Sequence, residues 1–209
     1  MTKKFVSNKD ETVRMFENNF LEALSRVHPS VPVIIYMPVI LYMCYLSIWE
    51  YQLSFINILA LVLLGIFVWT ITEYTLHRFV FHYQPKSKFG EKIHFIFHGV
   101  HHDYPSDSKR LVMPPSVSIP LATLFYFIFI LILGNIFIYP FFTGFLLGYL
   151  FYDLTHYAVH HFNMHSKFWL AIKNHHMKHH YQDSTKGFGV SSPAWDSVIG
   201  TDFPTKKEN

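Results

Sequence analysis

The stretch IFIYPFFTGFLLGYLFYDLT, residues 136–155, runs without interruption into HYAVHH, residues 156–161. The first part is an apolar run close to the roughly 20 residues a helix needs to cross a hydrocarbon core about 30 Å thick. The second part sets His156 and His160 four apart, on one face of the same helix prolonged. A membrane-crossing helix that ends in two imidazoles aimed at one point predicts a helical membrane protein with a metal-binding end.

Three further runs of the same kind lie at 31–49, 53–76 and 116–134. Together the four predict an all-α integral membrane protein with four transmembrane helices, the last two joined by a tight turn at Gly134-Asn135. The composition agrees: 51% of the 209 residues are hydrophobic and 19% aromatic, more than an ordinary soluble domain carries. A polar stretch of about thirty residues precedes the first run and no small-residue cleavage site follows it, so it reads as a retained helix and not as a cleaved signal peptide. The single cysteine, Cys44, sits inside that run, which leaves no partner for an intrachain disulfide.

The formal charge is only +3, but all 17 Lys and Arg residues fall in three segments, 1–30, 77–114 and 156–209. The short connections near Glu50 and Asn135 carry none. With four crossings those three segments share one side of the membrane, and the positive-inside rule makes that side cytoplasmic. The expected organisation is a cytosolic N-terminal segment, 1–30, followed by one membrane domain, 31–209, whose cytosolic helical cap is formed by 77–114 and 156–209. In the first segment Val13, Phe16, Phe20, Leu24 and Val27 recur at helical spacing, which predicts a short amphipathic helix on the membrane surface or on the cap. No basic patch of the kind that binds nucleic acid is present.

Ten of the 15 histidines fall at short spacings in the cap segments: His77 and His82; His98, His101 and His102; His156 and His160; His176, His179 and His180. Ten imidazoles exceed what one ion takes and suit two ions with about five ligands each. Imidazole without thiolate accommodates Zn, Cu, Fe or Ni alike. Only Glu91-x-x-His94 fits the Glu-x-x-His pattern of carboxylate-bridged di-iron bundles, so such a bundle is not expected. His28, His161, His165 and His175 read as surface or supporting residues, and His94, one turn before His98, fits either role. Glu73, four before His77, and Asp153, three before His156, are acids near hydrocarbon, where ionisable groups tend to be functional. Each is placed to accept the second ring N–H of a ligating histidine, or else to reach water from a helix end.

These residues resemble a known family. His77-Arg78-Phe79-Val80-Phe81-His82, His98-Gly99-Val100-His101-His102 and Arg110-Leu111-Val112-Met113-Pro114-Pro115 are similar to the fatty acid hydroxylase superfamily, and closely to its fatty acid 2-hydroxylase branch. So are Tyr152-Asp153-Leu154-Thr155-His156-Tyr157-Ala158-Val159-His160-His161, His176-Met177-Lys178-His179-His180-Tyr181, and the run from Gly187-Phe188-Gly189-Val190 through Trp195-Asp196 to Gly200-Thr201. The resemblance implies a membrane enzyme with a histidine-rich dimetal centre, working as di-iron, that uses O₂ and two electrons to hydroxylate C2 of a long acyl chain. It carries the ten ligand positions onto the ten histidines above. Eukaryotic members of that family often carry an N-terminal cytochrome b5 domain. The His-Pro-Gly-Gly haem motif is absent here, so a separate electron donor is expected, cytochrome b5-like or a ferredoxin and reductase.

The chemistry implied is consistent with the residues. An acyl C–H bond is too weak an acid for side-chain bases, so a redox metal must supply the oxidant while the protein supplies position. Zinc fits the same imidazoles but is redox-silent. Arg110 is a candidate for holding the lipid head group. Within the fold the competing substrates are sterols and carotenoids, and the competing reaction is desaturation. From another class, a non-catalytic metal-binding protein or transporter would need polar ligands along the bilayer path, which the first and third runs scarcely offer.

Overall fold

The computed structural model describes residues 5–204; the outermost parts of the two terminal segments, 1–4 and 205–209, with Lys3, Lys4, Lys206 and Lys207, lie outside the described residues. The described residues contain helices and no strand. In chain order the helices are α1 (Asn19–Leu24), α2 (Ser30–Tyr45), α3 (Phe55–Thr75), α4 (Lys88–His94), α5 (Val100–Asp103), α6 (Pro115–His161), α7 (Lys167–Tyr181) and α8 (Ala194–Ile199). Wide turns, Leu46–Glu50, Leu76–Phe81 and Phe95–Gly99, prolong α2, α3 and α4. Three helical stretches, Ser30–Glu50, Phe55–Phe81 and Pro115–His161, are long and apolar enough to cross a membrane.

α6 is a single element of 47 residues only nominally. Gly134, with φ 71° and ψ 178°, breaks it, in a region of backbone space that only glycine enters readily. Beyond the break the chain runs back on itself: Phe125 meets Phe145, Tyr126 meets Phe142 and Phe129 meets Phe141, with ring centroids 4.9–5.3 Å apart. The tight turn expected at Gly134-Asn135 is therefore a helical hairpin.

The chain divides into two compact units. Unit two comprises Val13–Thr72 and Lys109–Leu154. Its core is the second arm of the α6 hairpin, where Phe141, Phe142, Phe145, Leu146, Tyr149 and Leu150 are all buried. α2 contributes Tyr36, Ile40 and Met43, one stripe at helical spacing. Trp69 of α3 packs edge-on against Phe145 and Tyr149, at 5.1 and 5.3 Å. The opposite faces stay apolar and exposed, with Leu131 87% and Ile132 72% accessible, which suits lipid and not water. α3 and α6 meet backbone to backbone: a Cβ on Gly144 would stand 2.0 Å from the Val62 carbonyl oxygen, and one on Gly65 2.0 Å from that of Phe141. Small residues at such a crossing let two apolar helices approach where no hydrophobic drive separates lipid from protein.

The N-terminal helix is shorter than its apolar spacing predicts. It begins at Asn19, capped by the Asn18 side chain, and residues 13–17 are not helical. The buried Glu22 carboxylate takes the N–H groups of Met15 and Phe16, at 2.9 and 3.0 Å, and holds that segment in a non-helical path. It also binds Arg26 and Arg110, the latter at 2.7 Å. Phe20, Leu21 and Leu24 remain exposed, and Val27 is buried.

Unit one comprises Met1–Thr12, Glu73–Ser108 and Thr155–Asn209. It contains α4, α5, α7 and α8 together with the wide turn that follows α3. Residues 5–12 lie along its 103–108 segment: Val6 and Ser7 donate to the Asp103 carbonyl, and Thr12 donates to Asp107.

Two outcomes are expected. Gly144→Ala should cost unit two about 1–3 kcal/mol, the usual penalty of overpacking; an unchanged thermal midpoint in detergent would refute the backbone contact. Burial raises the Glu22 carboxyl, but the two main-chain N–H groups, Arg26 and Arg110 overcome that and hold it at about 2. A depressed carboxylate stabilises the folded state above its unfolded pKa and loses that contribution as pH falls toward 2. Amide exchange at Met15 and Phe16, corrected for intrinsic rates, should therefore accelerate on acidification, and Glu22→Ala should bring the faster exchange to neutral pH.

Candidate metal centre

The four histidine clusters converge within unit one as two groups of five. His77, His82, His98, His102 and His179 form the first, and His101, His156, His160, His176 and His180 the second; in each, the ligand atoms all lie within 4.8 Å of one another. The Nε2 atoms are the ones that meet. In the first group His77 to His98 and His77 to His82 are both 3.2 Å, His82 to His98 3.0 Å, His98 to His102 3.1 Å and His82 to His179 3.0 Å. In the second, His101 to His156 and His160 to His176 are both 2.9 Å, and His176 to His180 is 3.1 Å. An imidazole nitrogen sits about 2.1 Å from a bound metal, so nitrogens this close together could share one ion, and each group of five could hold one.

The local backbone explains how each ring arrives. His77 and His82 are five apart, a spacing that would splay them on a regular helix. The His82 N–H bonds instead to the His77 carbonyl at 3.1 Å, closing a wide π turn, and such turns cluster at functional sites. In α7, His176 and His180 are four apart and serve the second group, while His179 between them serves the first. His98 and His102 serve the first group and His101 the second. Each His-x-x-His-His unit thus gives its outer pair to one group and its middle ring to the other.

Electrostatics keep the rings ready for a cation. Burial, reinforced by neighbouring imidazoles, pushes His98, His101, His102, His176 and His180 well below the ordinary histidine range. The same causes lower His82 to about 2. His179 falls to about 4, burial outweighing the Lys186 carbonyl and Asp196, which act the other way. Neutral imidazoles are what a metal requires. His77 donates its Nδ1–H to the Phe188 carbonyl at 2.5 Å, and His179 to the Lys186 carbonyl at 2.6 Å. A carbonyl only accepts, so both rings carry the proton on Nδ1 and present a lone pair on Nε2.

The acids sit otherwise than their spacing suggests. Among the described residues Glu73 is not hydrogen-bonded to a histidine; its carboxylate accepts the N–H groups of Val190 and Ser191, each at 2.8 Å, and the Ser191 hydroxyl. Asp153, in unit two, accepts the Met113 N–H and the Tyr149 hydroxyl, both at 3.1 Å. Arg110, also in unit two, is buried against Glu22. His94 and the other histidines read as supporting lie in neither group. His175 donates to the wholly buried Asp196 at 3.0 Å, a pair with no signal in local spacing because 21 residues separate its members.

Known proteins are similar to the chain over most of its length. Residues 62–201 match the family model described as fatty acid hydroxylase. The chain is 38% identical over 197 residues to a ceramide very long chain fatty acid hydroxylase of Schizosaccharomyces pombe, covering 91% of this chain and 55% of that protein. It is 40% identical over 198 residues to a dihydroceramide fatty acyl 2-hydroxylase of Arabidopsis thaliana, covering 94% and 82%. The chain therefore spans about half the length of the first relative and most of the second. Among solved structures, full-length scs7p, in which only the hydroxylase domain is visible, superposes with a TM-score of 0.84 at 37% identity, over 89% of this chain and 70% of that one.

The grouping of ligands is testable by metal content. His98→Ala and His179→Ala weaken the same group, so the double variant should lose about one of two ions. His98→Ala with His176→Ala should lose both. Equal metal content in the two double variants, measured by plasma mass spectrometry, would refute the assignment.

Proposed function

The chain belongs to the fatty acid hydroxylase family, and from that membership we propose that it hydroxylates C2 of a long fatty acyl chain, free or carried in a ceramide-type sphingolipid. The observation that carries this reading is the pair of largely buried five-histidine groups in a protein whose relatives are named ceramide very long chain fatty acid hydroxylase and dihydroceramide fatty acyl 2-hydroxylase. We assign iron to both groups, with zinc able to occupy the same imidazoles without turnover. Bound iron would supply the redox chemistry: O₂ and two electrons, with two protons, place one oxygen atom in the C2–H bond and release the other as water.

The protein's own residues prepare that chemistry. The histidines would offer their Nε2 lone pairs to the metal, and the Phe188 and Lys186 carbonyls keep two of those rings in the right tautomer. His176 and His179 are fully buried, so bulk water is kept from their side of the centre, which protects a strong oxidant from side reactions. The electrons come, in this reading, from a separate donor protein, cytochrome b5-like or a ferredoxin and its reductase.

The proposed topology has four crossings, with the α6 hairpin providing the last two. The charge distribution supports a cytoplasmic location for both termini and for the 77–114 and 156–209 segments. The exposed Phe20, Leu21 and Leu24 suit contact with the membrane surface near the N-terminus. Arg110 has a carboxylate partner in Glu22, so its assigned task is to hold the N-terminal segment, and head-group recognition falls to other residues.

Lipid mass spectrometry of a host expressing the chain, beside one expressing a His101→Ala, His179→Ala variant at equal membrane level, tests the reading. A gain of one oxygen at acyl C2 with the intact chain alone is expected. An oxygenated sterol or carotenoid, a new double bond, or an unchanged lipid profile despite bound iron and a supplied donor would overturn it.

A further inference from the structure

We propose that residues 186–191 form a main-chain bracket that orients His77 and His179, and that Glu73 and Asp196 are the positioning residues that hold it. Metal retention in the first histidine group then depends on two carboxylates that touch none of its rings. The proposal rests on the reading that the two groups hold metal.

The bracket has no regular secondary structure, yet five consecutive N–H groups in it are committed. Gly187 donates to the Thr201 carbonyl at 3.0 Å. Phe188 and Gly189 donate to the Asp196 carboxylate at 2.8 and 2.7 Å. Val190 and Ser191 donate to Glu73. With these five donors drawn to one or other carboxylate or to Thr201, the carbonyls of Lys186 and Phe188 are left to receive His179 and His77. A glycine with φ +71° at Gly187 makes the turn between those two carbonyls.

Both carboxylates are themselves braced. Asp196 is fully buried and also accepts His175 and the Thr201 hydroxyl, the latter at 2.7 Å. Thr201 in turn meets the Tyr74 hydroxyl at 2.9 Å, which receives Arg78 at 2.8 Å. Glu73 is 5% exposed. At that depth water does not readily replace a lost acceptor, and a carboxylate removed leaves two main-chain N–H groups unpaired.

Both rings that the bracket receives, His77 and His179, belong to the first group. The Nδ1 atoms of His101, His176 and His180 are buried without a protein hydrogen-bond partner among the described residues. The bracket therefore serves the first group, and its loss should be felt at one ion and not at both.

The test uses the full chain in detergent, loaded with Co²⁺ or Zn²⁺, with metal content and the rate of ion release to a chelator as readouts. In wild type, two ions are retained. Glu73→Ala and Asp196→Ala should each release one ion about 10–100-fold faster, the usual cost of losing an outer-shell partner, while the other ion leaves at the wild-type rate. The Co²⁺ visible spectrum should change for the fast ion alone. Glu73→Gln keeps one oxygen for both N–H groups and should restore slow release. In a His176→Ala background, where the second group is already weakened, Glu73→Ala should leave no slowly released ion.

Unchanged release in Glu73→Ala and Asp196→Ala would overturn the proposal. So would parallel loss of both ions with a lowered thermal midpoint that Glu73→Gln fails to rescue, which is what a merely structural role produces. If Asp196→Ala does not fold, the Glu73→Ala and Glu73→Gln pair decides. A wild-type chain that retains no metal would instead defeat the metal reading itself, and the bracket with it.

Discussion

A helix turns about 100° per residue, and that rotation governs the metal centre. In α7, His176 and His180 are four apart and serve one group, while His179, about 100° from His180, serves the other. Each His-x-x-His-His unit is shared between the two groups. Two such units, 98–102 and 176–180, exchange their middle rings, so neither five-histidine group is complete without both. The two are interlocked, with His102 and His180 stacked at 4.4 Å. Unit one is assembled around this exchange: the π turn at 77–82, the turn before α5, the end of α6 and the end of α7 all have their positions dictated by where an imidazole must arrive.

The exchange accounts for what surrounds it. Ten polar rings packed together, seven of them buried, are costly unless a common partner satisfies them, so the protein must hold them in one tautomer and one orientation until a cation does so. For His77 and His179 that holding is done by main-chain carbonyls in an irregular segment, and irregular segments are precise only when their own N–H groups are fully committed. Residues 187–191 meet that condition through Glu73, Asp196 and Thr201. Asp196 shows the electrostatic side of the arrangement: burial raises its pKa, yet His175, the two main-chain N–H groups and Thr201 lower it by more. It remains a full acceptor for the bracket.

Much of this was legible in the sequence because the controlling interactions are local. Apolar runs at 31–49 and 53–76 correspond to the helical stretches Ser30–Glu50 and Phe55–Phe81, and the glycine at 134 announces the hairpin. The histidine spacings pointed to two ions with about five ligands each. Which ring serves which group was not readable, since that depends on how separate segments meet. The five-residue gap from His77 to His82 was the one local clue to a π turn, because a regular helix would send those rings apart. Long-range partners hid the rest. Glu22 reaches back to Met15 and Phe16 and shortens α1, and Arg110 meets it across 88 residues. Glu73 lies four before His77, but its partners are 117 and 118 residues away, so it acts on the histidine at one remove.

The choice of histidine over carboxylate shapes how such a centre is held. A carboxylate ligand neutralises part of a metal's charge and draws the ion in by attraction; ten neutral imidazoles leave that charge intact. The nearby acids Glu73 and Asp196 turn their carboxyl oxygens to main-chain N–H groups. Both stand one layer away from the ligand rings. Affinity in such a site comes from the convergence and orientation of lone pairs more than from charge pairing, and orientation is what the backbone around residues 186–191 controls. An ion that keeps its charge in a low-dielectric pocket polarises what binds to it more strongly than one already neutralised. The same arrangement makes the centre dependent on the geometry of an irregular loop, and that dependence explains why a five-residue stretch without secondary structure has every N–H group committed.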